Sequence, residues 1–161
     1  MIELGTGCGI VGITMARRFS NAEVLITDMP EAEEIATHNI RMAMGQCSPD
    51  GSLAKIAYQN LDWEKPLPES VRIGHFDLVL VADCTYNSDV VPDLVETLAE
   101  LVKYNREVLI LVAMKIRHYS EMVFFDLMKE KNMIVLDKVE FPFPLLGQDD
   151  EEIELYFFKG C

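Results

Sequence analysis

Positive charge is scarce in this 161-residue sequence: 14 Lys and Arg stand against 27 Asp and Glu, a formal net charge of −13. Phosphate backbones attract Lys and Arg, so this balance argues against nucleic-acid partners. It argues equally against docking on an anionic membrane surface. A basic peptide or protein surface is the better electrostatic match. Long apolar runs are missing too, and none approaches the ~20 residues that span a bilayer. The N-terminus, MIELGTGCGIVG, lacks the basic start and small-residue cleavage site of a signal peptide. Cysteine is sparse: Cys8, Cys47, Cys84 and Cys161 are spread out with no C-x-x-C. That pattern reads as a reduced protein of the cytoplasm or nucleus, not a disulfide scaffold. Histidine is sparser, and His38, His75 and His118 form no metal-ligand spacing. No metal is expected.

What is abundant is apolar: 50% of residues are hydrophobic, enough for a packed core. The length fits one domain over residues 1–161, with no internal repeat. A monomer is expected. Short β-prone runs alternate with helical patterns. Strands are predicted at residues 2–4, 23–27, 54–60, 76–82, 108–113, 133–139 and 153–159, and helices at 11–19, 31–44, 90–103 and 119–131. Pro49–Ser52 reads as a turn, residues 65–75 as a loop, and 141–152 as an acidic, solvated turn. Strands alternating with helices make βαβ units. The last two strands have no helix between them, so they pair antiparallel. The expected fold class is α/β: a doubly wound, Rossmann-like seven-strand sheet, mostly parallel, with an antiparallel last strand.

Between the first strand and first helix lies Glu3-Leu-Gly-Thr-Gly-Cys-Gly9. Glycines let a backbone turn tightly and approach a ligand, and the following helix offers free N–H groups. Nucleotide-like cofactors bind at this place in such sheets. Gly7-Cys-Gly-Ile-Val-Gly12 also spells the dinucleotide fingerprint, so an NAD(P)-dependent oxidoreductase is one reading. Glu3 counts against it, because a carboxylate suits a cationic or zwitterionic ligand better than a pyrophosphate. Asp28, at the end of the second strand, fits an acceptor of ribose hydroxyls in either case.

These residues resemble a known family. E-L-G-x-G-x-G followed by I-T-D looks like the seven-strand S-adenosylmethionine-dependent methyltransferases. Leu61-Asp62-Trp63, the run Phe76–Tyr86 with its D-x-x-Y, and Lys115-Ile-Arg117 resemble methyltransferase-like family 16, the protein-lysine methyltransferases. The resemblance implies S-adenosyl-L-methionine as cofactor and a protein substrate with an exposed lysine. It implies that Glu3, Gly5, Thr6 and Gly7 cradle the amino-acid part of the cofactor. Asp28 would bind its ribose, Trp63 would lie beside its adenine, and Ala82 would line its pocket. Asp83 and Tyr86 would face the substrate. Family members carry a further segment ahead of the glycine motif that contacts the cofactor, so the resemblance implies a chain shortened at its N-terminus. The alternative reading is therefore a cofactor- or partner-binding pseudoenzyme.

The chemistry agrees with those assignments. A lysine ammonium, pKa ~10.4, must lose a proton before its nitrogen attacks a methyl group. Asp83, at the carboxyl end of the fourth strand, suits binding and orienting that ammonium, and Tyr86 suits walling its channel. Trp63, the only tryptophan, stands between acids and ahead of Pro66, which suits a half-exposed ring.

Overall fold

A computed structural model describes residues 1–19, 21–45, 55–117, 119–142 and 152–161. The turn predicted at 49–52, Cys47, His118 and most of the acidic turn at 141–152 lie outside the described residues. Contacts gather the chain into two compact units, Met1–Asp62 and Trp63–Cys161.

The first unit holds three parallel strands in the order β3-β2-β1: β1 (Ile2–Leu4), β2 (Glu23–Asp28) and β3 (Lys55–Asn60). Leu4 lies opposite Thr27, and Asp28 opposite Asn60. Ile2 and Leu4 are wholly buried. Helix α1 (Ile10–Arg18) starts from Gly9, which takes a left-handed φ of 85°, and buries Gly12, Ile13 and Ala16. Helix α2 (Glu33–Met44) follows a single 3-10 turn over Pro30–Ala32. The predicted helix thus divides, with the proline in the tight turn where its missing N–H is harmless. Ala16, Val24, Ile26 and Ala36 form the core, and Met1, Ile40, Ile56 and Tyr58 pack against it.

The second unit holds four strands in the order β4-β5-β7-β6: β4 (Leu78–Ala82), β5 (Leu109–Met114), β6 (Met133–Pro142) and β7 (Glu152–Gly160). β4 and β5 are parallel, and β7 runs antiparallel to both β5 and β6. The reversed last strand is the expected one, but it inserts between β5 and β6. Tyr156 and Phe158 of β7 are buried, whereas Ile134, Val135 and Leu136 of β6 are about half exposed. The inner strand is the better covered of the two, and the outer one carries a bulge between Val135 and Asp137.

A four-residue helix, α3 (Glu69–Arg72), sits in the stretch predicted as loop, with Val71 wholly buried. Helix α4 (Val91–Tyr104) buries Val91, Leu94, Val95, Leu98 and Leu101, the i, i+3, i+4, i+7 spacing of one helix face. The last predicted helix divides into a 3-10 turn over Tyr119–Met122 and α5 (Val123–Glu130). α5 packs Phe124 edge-on against Phe158 at 5.8 Å. Among the described residues no helix is long and apolar enough to cross a membrane.

Candidate functional site

In the first unit the glycine turn is built around one carboxylate. Gly5, Gly7 and Gly9 all take positive φ, at 67°, 55° and 85°. That geometry is strained for a residue with a Cβ, so the alternating glycines are a backbone requirement. Glu3 is 1% exposed, and its Oε2 accepts hydrogen bonds from the Thr6 hydroxyl at 2.7 Å and the Gly12 amide at 2.9 Å. Burial raises the Glu3 pKa, opposed by those two hydrogen bonds, with the nearby Asp28 charge raising it further. Glu3 and Thr6, both predicted to cradle a cofactor, thus brace the turn from beneath. The Thr6 amide also donates to the Thr27 carbonyl at 3.0 Å, continuing the β1–β2 ladder into the turn.

Gly12 shows why the third residue type in this motif is small. A Cβ there would lie 2.6 Å from Glu3 Oε2 and would collide with Ile26. Gly7 is the opposite case, exposed, with nothing within 4 Å of where a Cβ would stand. The turn therefore has a packed underside and an open outer side. Asp28 stands beside that open side at the end of β2. Its Oδ2 accepts from the Gly7 amide at 2.7 Å, and its Oδ1 from the Met29 amide at 2.7 Å. Each carboxylate oxygen keeps capacity for a second donor. Asn39, on α2, donates its side-chain amide to the Cys8 carbonyl at 2.8 Å. Sequence reasoning missed Asn39, because nothing local links positions 31 apart.

In the second unit, Trp63 lies half-buried in a turn, and Ala82 is the half-buried last residue of β4. Asp83 donates its amide to the Ala113 carbonyl at 2.8 Å and takes φ 52°, a left-handed turn that Asp tolerates better than most residues. In the D-x-x-Y segment Cys84 and Thr85 are buried, while Asp83 and Tyr86 face solvent, Tyr86 at 66% exposure. Both signature residues are thus open to solvent. Asp83 has a partner that its sequence position did not announce. Arg117 places Nη1 2.8 Å from Oδ1 and Nη2 3.3 Å from Oδ2, a two-pronged ion pair. The Arg117 amide in turn donates to buried Glu121 at 2.9 Å.

Glu3, Gly5, Thr6, Gly7 and Asp28 therefore cluster in the first unit, and Ala82, Asp83 and Tyr86 along one strand end and loop of the second. Among the described residues no group of three or more His, Cys, Asp or Glu is placed to hold a metal ion.

The same fold occurs in solved methyltransferases. An S-adenosylmethionine-dependent methyltransferase from Clostridium acetobutylicum superposes with a TM-score of 0.63 at 14% identity, covering 99% of this chain and 82% of that one. Such a likeness shows the fold alone, the Rossmann-like methyltransferase arrangement. Sequence relatives say more. Protein N-lysine methyltransferase METTL21A of Mus musculus is 32% identical over 159 residues, 99% of this chain and 64% of the relative. The UPF0665 family protein C23C4.06c of Schizosaccharomyces pombe is 34% identical over 126 residues, 78% of this chain and 36% of the relative. The chain thus spans between a third and two thirds of the length of these two relatives. The profile of the lysine methyltransferase family, methyltransferase family 16, matches residues 1–131. That match runs from the glycine turn through D-x-x-Y and Arg117 to the end of α5, and this chain belongs to the lysine methyltransferase family.

Proposed function

We propose that this chain is an S-adenosylmethionine-dependent N-methyltransferase acting on lysine side chains of a protein. The observation that carries the reading is the glycine turn of the first unit. It has an open outer side at Gly7, a carboxylate at Asp28 with acceptor capacity left over, and a second carboxylate at Glu3 beneath. Ribose hydroxyls suit the first carboxylate, and a zwitterionic amino-acid group suits a turn underlain by the second. These residue types fit an adenosine-containing cofactor such as S-adenosylmethionine. The bound cofactor would supply a methyl group on a positively charged sulfur. Asp83 and Tyr86 are the residue types that an acceptor lysine calls for. Asp83 attracts a lysine ammonium and orients it, and the exposed Tyr86 ring tolerates a cation against its face. The names of the lysine-methylating relatives support the same assignment.

Calorimetric titration tests the reading. S-Adenosylmethionine and S-adenosylhomocysteine should bind the purified chain, and Asp28→Ala should weaken both by about 100-fold. NADH binding in their place would overturn it in favour of an oxidoreductase. Binding without methyl transfer to any lysine-bearing protein would leave the pseudoenzyme.

A further inference from the structure

The carboxylate proposed to receive the substrate ammonium is already engaged. Both oxygens of Asp83 face the Arg117 guanidinium, at 2.8 Å and 3.3 Å. The pair bridges the carboxyl ends of two neighbouring parallel strands, with Asp83 just past β4 and Arg117 three residues past β5. It is not sealed in: the side chains are 60% and 40% exposed. An ion pair that open is weakly held, because water screens it and two flexible side chains must be kept in register.

Resting on the methyltransferase reading, we propose that Arg117 is an exchangeable counter-ion of Asp83, which the incoming lysine ammonium replaces, so that the pair selects a cationic acceptor. Three features support exchange over a permanent strut. First, Asp83 is held in place without Arg117. Its amide is bonded to Ala113 and its backbone is set in a left-handed turn, so the main chain that carries the carboxylate stays put when the guanidinium leaves. Second, Arg117 is anchored by its own backbone, through the amide bonded to Glu121, which lets the side chain swing while the main chain remains. Third, the displaced guanidinium has somewhere to go. Its Nη1 already lies 3.5 Å from the Lys115 carbonyl, at the outer limit of a hydrogen bond, and swinging away from Asp83 can shorten that contact.

The consequence is selectivity. A neutral hydroxyl or amide has no charge with which to displace a guanidinium from a carboxylate. An ammonium has the charge and three donors. With Arg117 in place, a cation competes for Asp83 better than a neutral group does. Arg117 is in this sense a positioning and specificity residue that touches the substrate only through the carboxylate it vacates.

The test needs neither the cofactor nor the protein substrate. n-Butylammonium chloride, a mimic of the lysine side chain, is titrated into the 161-residue chain. Sodium chloride at equal ionic strength and n-butanol serve as controls. NMR follows the Arg117 Nε–Hε signal and the Asp83 carboxyl carbon. The expected result is that both signals move together with butylammonium and stay fixed with either control. Arg117→Gln should then bind butylammonium about three- to fivefold more tightly, the worth of one surface ion pair. Arg117→Lys should restore the wild-type affinity, and Asp83→Asn should lose binding. Butylammonium that shifts Asp83 without Arg117, or an Arg117→Gln chain that binds no more tightly, would overturn the exchange. Should Arg117→Gln fail to fold, the wild-type titration decides alone. Failure of the methyltransferase reading appears separately, as absent S-adenosylmethionine binding in calorimetry.

Discussion

Gly7 and Asp28 are joined by a 2.7 Å hydrogen bond across 21 positions of sequence, from the amide of the glycine turn to the carboxylate at the end of β2. The bond ties the turn to the side chain proposed to grip the cofactor ribose, so the two act as one unit. Asp28→Ala removes the ribose acceptor and a brace of the turn together. S-Adenosylmethionine affinity should fall by about 100-fold, the worth of two hydrogen bonds to a charged group at the low end of their range. Calorimetry reads this directly. An affinity within a few-fold of wild type would remove Asp28 from the site.

Gly12→Ala should destabilise the first unit without touching the open side of the turn. The added methyl meets Ile26 and Glu3 Oε2 in a packed interior, and overpacking of that kind costs about 1–3 kcal/mol. For a chain of this size the midpoint of thermal unfolding should drop by roughly 4–8 °C for a cost of about 2 kcal/mol. An unchanged midpoint would show that the Glu3–Gly12 contact is looser than described.

Glu3 predicts a pH dependence. Burial raises its pKa above the ordinary 4.5 in the folded chain. Folding therefore makes the Glu3 proton harder to remove than it is in the unfolded chain. The stability Glu3 contributes is fully present below about pH 4.5, its unfolded value, and is lost as pH rises through the folded one. Glu3→Gln cannot ionise and does not suffer this loss. Denaturant unfolding of both proteins from pH 4 to pH 7 should show the variant gaining on wild type as pH rises. A constant difference would mean that Glu3 has no raised pKa.

Tyr58 gives a second titration, on β3. Burial, with the charges of Asp28, Glu33 and Glu31, pushes its phenol from 10.0 up to about 12. The stability associated with the neutral phenol is present below about pH 10 and lost as pH rises through about 12. Phenolate absorbance should show a late-titrating tyrosine that Tyr58→Phe removes. The same substitution deletes the 2.7 Å bond from the hydroxyl to the Met29 carbonyl, at a cost of about 1 kcal/mol.

Asp83→Asn and Tyr86→Phe test the acceptor side. Asparagine keeps the shape and the left-handed backbone but loses the charge, so kcat/KM toward a lysine-bearing protein should fall about 10- to 100-fold, the worth of a charged hydrogen bond. S-Adenosylmethionine affinity should not change. Loss of cofactor binding in Asp83→Asn would mean that the residue serves the cofactor and not the acceptor.

The local order of residues determined a good deal. Isoleucine, leucine and valine in short bounded runs determined β1, β2, β4 and β5, because such β-prone runs suit a buried strand. The 3.6-residue spacing of Val91, Leu94, Val95, Leu98 and Leu101 determined α4. Glycines between a strand and a helix determined the turn at residues 5–9, because only they take its positive φ without strain. Tertiary structure decided what lies between distant residues. It placed β7 inside β6, since the pairing of β7 with β5 joins residues forty or more positions apart. It turned Glu3 inward as a brace, since partners for a buried carboxylate come from the folded turn. It also set Arg117 on Asp83 across 34 positions, because parallel neighbouring strands bring their carboxyl ends together however long the chain between them.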